Sequence, residues 1–147
     1  MDKTLTLELV TPEKVAWSAP ADFVVLPAFH GEMGVLPGHQ PFLVQLLPGE
    51  VRVTEKGAVT RFAVSGGFAE VKGDTISLFA ETAEMAGQID AARARQALEK
   101  AKSEVAKPGL DPEQLAAMEA AIRRAQVRLR VARHGQGTPS SDQRQFE

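Results

Sequence analysis

The sequence has no cysteine in its 147 residues and only three histidines. The missing thiols exclude disulfides, a thiol nucleophile and thiolate metal sites together, and they are compatible with a reducing compartment. His30, His39 and His134 show no HExxH-type or other metal-ligand spacing. No run approaches the ~18 consecutive apolar residues of a membrane helix, and Met1-Asp2-Lys3-Thr4 lacks the apolar centre of a signal peptide. The chain is therefore expected to stay on the cytoplasmic side. A nucleophile elbow, a Walker loop and a dinucleotide fingerprint are missing as well, because Gly31-Glu32-Met33-Gly34 and Ser65-Gly66-Gly67 have neither the spacing nor the context. An enzyme reading is left without a base and a nucleophile.

What the chain does have is polarity. Residues 1–87 carry 6 basic against 11 acidic side chains, residues 88–134 carry 10 against 6, and residues 135–147 carry 1 against 2, within a net charge of −2. Such asymmetry implies two functional parts. The basic part offers no aromatic ring to stack a base, and its interleaved glutamates repel phosphate, which argues against nucleic acid as its partner. At 44% hydrophobic residues the chain forms one ordinary domain, or a small domain with an appendage.

Residues 1–87 read as short strands divided by turns. Thr4-Leu5-Thr6-Leu7-Glu8-Leu9 alternates, which sets Leu5, Leu7 and Leu9 on one face of a half-buried strand. Further strands are expected at Phe23–Leu26, Phe42–Leu46, Val51–Thr54, Val59–Val64, Phe68–Val71 and Thr75–Phe79, with turns at Pro48-Gly49, Lys56-Gly57, Gly66-Gly67 and Lys72-Gly73-Asp74. This spacing predicts an all-β sandwich or barrel. Gly31, Gly34 and Gly38 alternating with Pro37 and Pro41 predict consecutive tight turns, since glycine admits positive φ and proline fixes its own. His39, inside that run, is read as ordering the turn by hydrogen bonding.

From Ile89 onward the pattern is helical. Asp90 is expected to cap a first helix reaching about Ala106, stopped by Lys107-Pro108-Gly109. Asp111 is expected to cap the Gln114 amide of a second helix, with Pro112 at its first position, Leu110 stapled to Leu115, and Gly135 as C-terminal cap. Leu115, Met118, Ile122, Ala125 and Leu129 form a pairing seam against the smaller Ala94, Ala97, Leu98, Ala101 and Val105. The fold class predicted is an N-terminal β-sandwich (1–87), an antiparallel helical hairpin (88–134) and a disordered tail (135–147). The alanine-rich seam buries little area, so the hairpin is weakly held and able to move.

The run Gly31-Glu32-Met33-Gly34-Val35-Leu36-Pro37-Gly38-His39-Gln40-Pro41, then Pro48-Gly49, Ser65-Gly66-Gly67-Phe68-Ala69-Glu70-Val71 and Ile89-Asp90-Ala91-Ala92-Arg93-Ala94, in this order and spacing, resembles the epsilon subunit of bacterial F-type ATP synthases. The likeness extends over roughly residues 5–133. It implies a non-catalytic subunit of the central rotor stalk, peripheral to the cytoplasmic face of the bacterial inner membrane. The sandwich of such a subunit docks on the gamma subunit and the ring of c subunits through Gly31, Glu32, Gly34, Pro37, Gly38, His39 and Pro41. The hairpin can fold against the sandwich or extend, meet the alpha and beta subunits transiently, and block ATP hydrolysis. No cofactor is required, although some relatives bind regulatory ATP through an Ile/Leu-Asp-x-x-Arg-Ala motif. Ile89, Asp90, Arg93 and Ala94 match that motif; the preceding carboxylate falls on Glu84 and the second helix's basic pair on Arg124 and Arg128. Lys100 stands where those relatives have a further arginine, supplying charge without a guanidinium fork. The alternative from another class is a free-standing nucleotide sensor, in which the hairpin closes on ATP with no rotary partner.

Overall fold

A computed structural model describes residues 4–136. The chain divides into two compact units at the Met85–Ala86 junction. The first unit is all strand: β1 (Leu5–Val10), β2 (Val15–Ala21), β3 (Phe23–Ala28), β4 (Gly31–Val35), β5 (Phe42–Leu46), β6 (Gly49–Glu55), β7 (Ala58–Val64), β8 (Gly67–Lys72), β9 (Thr75–Ala80) and β10 (Ala83–Met85). They run in the order β10-β7-β6-β3-β5-β8-β9-β1-β2, with β4 attached to β3 alone. A single Ala28–Leu46 bridge joins β3 to β5, and there the sheet folds over into two layers. All pairs are antiparallel except β1 beside β9.

Alternation builds the core. Leu5, Leu7 and Leu9 are fully buried while Thr6 and Glu8 face outward, and they share one core with Ile76 and Leu78 of the neighbouring β9 and with Leu26 of β3 and Val51 of β6. Trp17 on β2 packs edge-on against Phe62 of β7, ring centroids 5.2 Å apart, so the two layers touch through an aromatic pair.

Three strands escape the sequence reading. β2 contains Pro20, a residue confined to sheet edges, and β2 is indeed the last strand of the sheet. β10 is only three residues long. The third, β4, corrects the expected chain of turns. Gly31–Val35 is a strand paired along β3, leaving a two-residue tip at Phe29-His30 before it and a separate turn at Leu36–His39 after it. Gly34 is not a turn residue. A side chain there would run into the Phe23 ring, whose Cε2 lies 2.8 Å from the position of a Cβ. Close approach, rather than φ, selects glycine at that point.

The second unit holds a 3₁₀ turn (Ala86–Gln88), α1 (Ala91–Val105) and α2 (Pro112–Gln136). Asp90 caps α1, its carboxylate accepting from the Arg93 amide at 3.0 Å. Asp111 accepts from the Gln114 amide at 2.7 Å, and the Gln114 side chain returns the bond to the Asp111 amide at 3.1 Å, a reciprocal capping box. α1 and α2 pack together, with Ala94 and Ala101 buried on α1 and Ala125, Val127, Val131 and Ala132 buried on α2. α2 runs through Gly135 rather than ending on it, which corrects the expected cap. A side chain at Gly135 would overlap the Ala86 Cβ, so this glycine lets the 3₁₀ turn approach α2. Residues 137–147 of the expected tail lie outside the described residues.

Candidate functional site

The docking residues read from the sequence fall into two groups at opposite ends of β4. At its start Gly31 has φ +112° and Glu32 is forked by Arg52. Beyond its end, Pro37 and Gly38 form the centre of a turn closed by the His39 amide donating to the Leu36 carbonyl at 3.3 Å. Gly38 has φ +81°, as the third residue of a type II turn requires, and its amide donates to the Asp74 carboxylate at 3.1 Å. That bond ties the turn to the β8–β9 connection. His39 lies 2.9 Å through Nδ1 from the Gln40 carbonyl and meets the Phe42 ring at 4.7 Å, the turn-ordering role expected of it. Pro41 then leads into β5.

Beyond that turn lies a surface that the sequence reading missed. The rows of the β5-β8-β9-β1-β2 layer place Gln45, Phe68, Phe79, Val10 and Val15 side by side on the outer face. Leu43 stands one outward position along β5 from Gln45. Leu43 is 69% exposed, Phe68 53%, Phe79 45% and Val15 54%, which makes a band of apolar side chains across five strands. Isolated surface hydrophobes are ordinary, but a contiguous band marks an interaction surface. The signal was present in the alternation itself: Leu43 and Phe79 are each flanked on both sides, and Phe68 on one, by residues packed in or against the core, so each must point away from it.

The nucleotide constellation is spread along the hairpin. Ile89 and Ala94 are buried, Asp90 is occupied as a helix cap, and Arg93, Lys100 and Arg124 are exposed, with Arg128 half-buried. Measured at 100° per residue from Ala94, Arg93 and Lys100 occupy one flank of α1; measured from Ala125, Arg124 and Arg128 occupy one flank of α2. Because α2 runs back along α1, these flanks form the same side of the hairpin, with Arg93 about level with the Arg124–Arg128 turn. Arg133 falls on the opposite side. Glu84 stands on β10 of the sandwich, opposite Ala63 of β7.

Among the described residues no group of three or more His, Asp or Glu side chains could hold a metal ion, and no helix is long and apolar enough to cross a membrane. A sandwich with an exposed apolar band, followed by a helical hairpin with an arginine flank, defines a two-part protein that presents surfaces to partners. The family model for the beta-sandwich domain of the ATP synthase delta/epsilon chain matches residues 4–86, and that for its long alpha-helix domain matches residues 88–133. The chain belongs to the ATP synthase delta/epsilon family. The ATP synthase epsilon chain of Desulforamulus reducens is 47% identical over 109 residues, 74% of this chain and 83% of its own length. That of Herpetosiphon aurantiacus is 42% identical over 129 residues, 88% and 94% of the two chains. A chain in the Euglena gracilis mitochondrial ATP synthase, from a structure of OSCP, F1 and the c-ring, superimposes with a TM-score of 0.74 at 28% identity, covering 84% of this chain and 78% of that one.

Proposed function

We propose that this chain is a non-catalytic subunit of the rotor stalk, coupling rotation of a c ring to ATP synthesis and restraining ATP hydrolysis through its hairpin. The observation that carries the docking half is the apolar band from Leu43 to Val15. Burying such a band is the ordinary driving force of stable association. The gamma subunit and the c ring are the partners, and alpha and beta subunits meet the hairpin transiently. The complex holds the chain at the membrane, on its cytoplasmic face.

The regulatory half rests on the hairpin's seam. α1 buries only Ala94 and Ala101 outright, so its packing contributes little area, while the exposed arginines favour acidic surfaces. ATP is the regulatory ligand: guanidiniums of Arg93, Arg124 and Arg128 on one flank suit a polyphosphate, with Lys100 adding charge, and Glu84 and Asp90 supply acceptors for the adenine amino group or its surroundings. ATP bound there favours the folded hairpin over the extended, inhibitory one by its differential affinity for the two.

Two measurements test this reading. Gentle detergent extraction of the endogenous protein should bring down alpha, beta, gamma and c subunits with it. A chain ending before Asp90 should still assemble and support synthesis, while hydrolysis by the complex rises or loses its regulation. Unchanged hydrolysis under every condition would sink the regulatory half.

A further inference from the structure

β4 lies off the main path of the sheet. It is bonded to β3 alone. Opposite Glu32 on β3 stands Pro27, which has no N–H to donate and whose carbonyl accepts from the Leu47 amide at 2.9 Å. Side chains supply what the ladder lacks. Arg52 lies on β6, two strands from β4, in the row Arg52–Val25–Gly34. Its guanidinium reaches across β3 and forks the Glu32 carboxylate, Nη1 to Oε1 at 3.0 Å and Nη2 to Oε2 at 2.5 Å. Nη1 also donates to Glu50 at 3.2 Å, and Arg61 on β7 donates to the same Glu50 oxygen at 3.0 Å. The result is a carboxylate–guanidinium–carboxylate–guanidinium series running from β4 into the sheet. Its inner carboxylate, Glu50, has only 5% of its side chain exposed, so the series is anchored where water competes least. The bonds to Glu32 and Glu50 hold the Arg52 guanidinium pKa above its ordinary value, outweighing the opposing effect of partial burial.

Two residues before β4 begins, the hairpin apex carries Phe29, 71% exposed and braced edge-on by His30 at 5.0 Å. A large ring this exposed on a flexible tip loses entropy on docking; on a clamped tip it is preorganised.

We propose that Arg52 is a positioning residue for docking: by clamping Glu32 it presents Phe29 as a preformed apolar contact for a pocket on the rotor partner. This rests on the docking role proposed above for the sandwich. The partner surface it fits is an apolar depression wide enough for a phenyl ring, since the acidic and basic groups beside the tip are already paired with each other.

The experiment uses the full chain and a detergent-solubilised synthase depleted of this subunit. Arg52→Met removes the fork, Arg52→Lys keeps the charge without it, and Phe29→Ala removes the ring. Amide exchange over residues 31–35 and affinity for the depleted complex are measured for each. Arg52→Met should speed exchange over 31–35 while β8 and β9 stay protected, and should weaken binding by about tenfold; Phe29→Ala should weaken binding similarly with no change in exchange. The double variant should bind no worse than Phe29→Ala alone, because Arg52 acts through that ring. Arg52→Lys should resemble Arg52→Met, and it carries the test if the methionine variant loses protection throughout the sandwich. Wild-type exchange and affinity in Arg52→Lys would overturn the proposal, as would an additive double variant. If Phe68→Ala with Phe79→Ala weakens binding while the Arg52 variants do not, this proposal fails and the docking reading stands. If none of these changes weakens binding, both fall.

Discussion

Replacing Phe68 and Phe79 together with alanine should separate docking from folding. The two rings lie directly opposite one another on β8 and β9 and are 53% and 45% exposed. A fully buried aromatic side chain covers ~200 Å², so docking would remove about 100 Å² of each ring from water. At ~25 cal/mol per Å² that is about 2.5 kcal/mol per ring as an upper limit, and about 1.5–2 kcal/mol once the alanine methyl's own burial is subtracted. The pair therefore sets a ceiling of about 3–4 kcal/mol, equivalent to a 100- to 1000-fold loss of affinity, which rim exposure at the interface reduces. A loss of at least tenfold is the expected result. Folding should suffer far less: an exposed cross-strand aromatic pair contributes roughly 0.2–1 kcal/mol, a shift of a few degrees in melting temperature. The assay titrates the folded double variant against a synthase complex depleted of the subunit, with Val59→Ala, exposed on β7 away from the band, as control. Affinity within twofold of wild type would refute the assignment of the band as a docking surface.

Gly34→Val and Gly38→Val should fail differently: the first drives a side chain into the Phe23 ring and lowers thermal stability, whereas the second strains a φ of +81° with open space around it and alters the turn, so docking suffers before folding. Denaturant melts run beside binding curves distinguish the two, and equal stability losses would show that the turn's conformation matters only to the fold. Asp111→Ala removes one half of the capping box and should destabilise the hairpin by about 1 kcal/mol, visible as faster exchange in the first turn of α2. Arg93→Ala and Arg128→Ala should each weaken ATP binding by about 1.5–3 kcal/mol, while Arg133→Ala, on the opposite flank, changes little. Calorimetric titration checks this, and equal losses at Arg128 and Arg133 would reduce the motif to a cap and a solvated arginine face.

Elements whose pattern is local were legible. The Leu5-Leu7-Leu9 alternation and the Asp90 and Asp111 caps each appear where the residues alone place them, because propensity and burial agree there. The expected helix seam holds only in part: Ala94, Ala101 and Ala125 are buried, but Ala97 and Leu115 are exposed, and Val127 and Val131 are buried outside it. β4 was hidden because Gly31 and Gly34 read as turn formers, and only the Phe23 ring, eleven residues earlier, reveals why Gly34 is needed in a strand. Gly135 misled for the same reason: its partner Ala86 is distant in sequence. The nucleotide constellation was found by resemblance, and helix periodicity then gathers Arg93, Lys100, Arg124 and Arg128 on one flank. The Glu32–Arg52–Glu50–Arg61 series could not be read at all, since it depends on which strands become neighbours.

The margins of the sheet bear on the life of the chain before it is assembled. A subunit waiting for its partners exposes whatever strand edges it has, and unpaired edges recruit other chains into aggregates. Here the two ends of the sheet are β10, three residues long, and β2, interrupted by Pro20, while β4 carries two glycines and a charge. β10 is too short, β4 is too glycine-rich, and Pro20 cuts short β2, to offer a long row of donors and acceptors to a second copy. Such margins disfavour edge-to-edge pairing between copies of the chain.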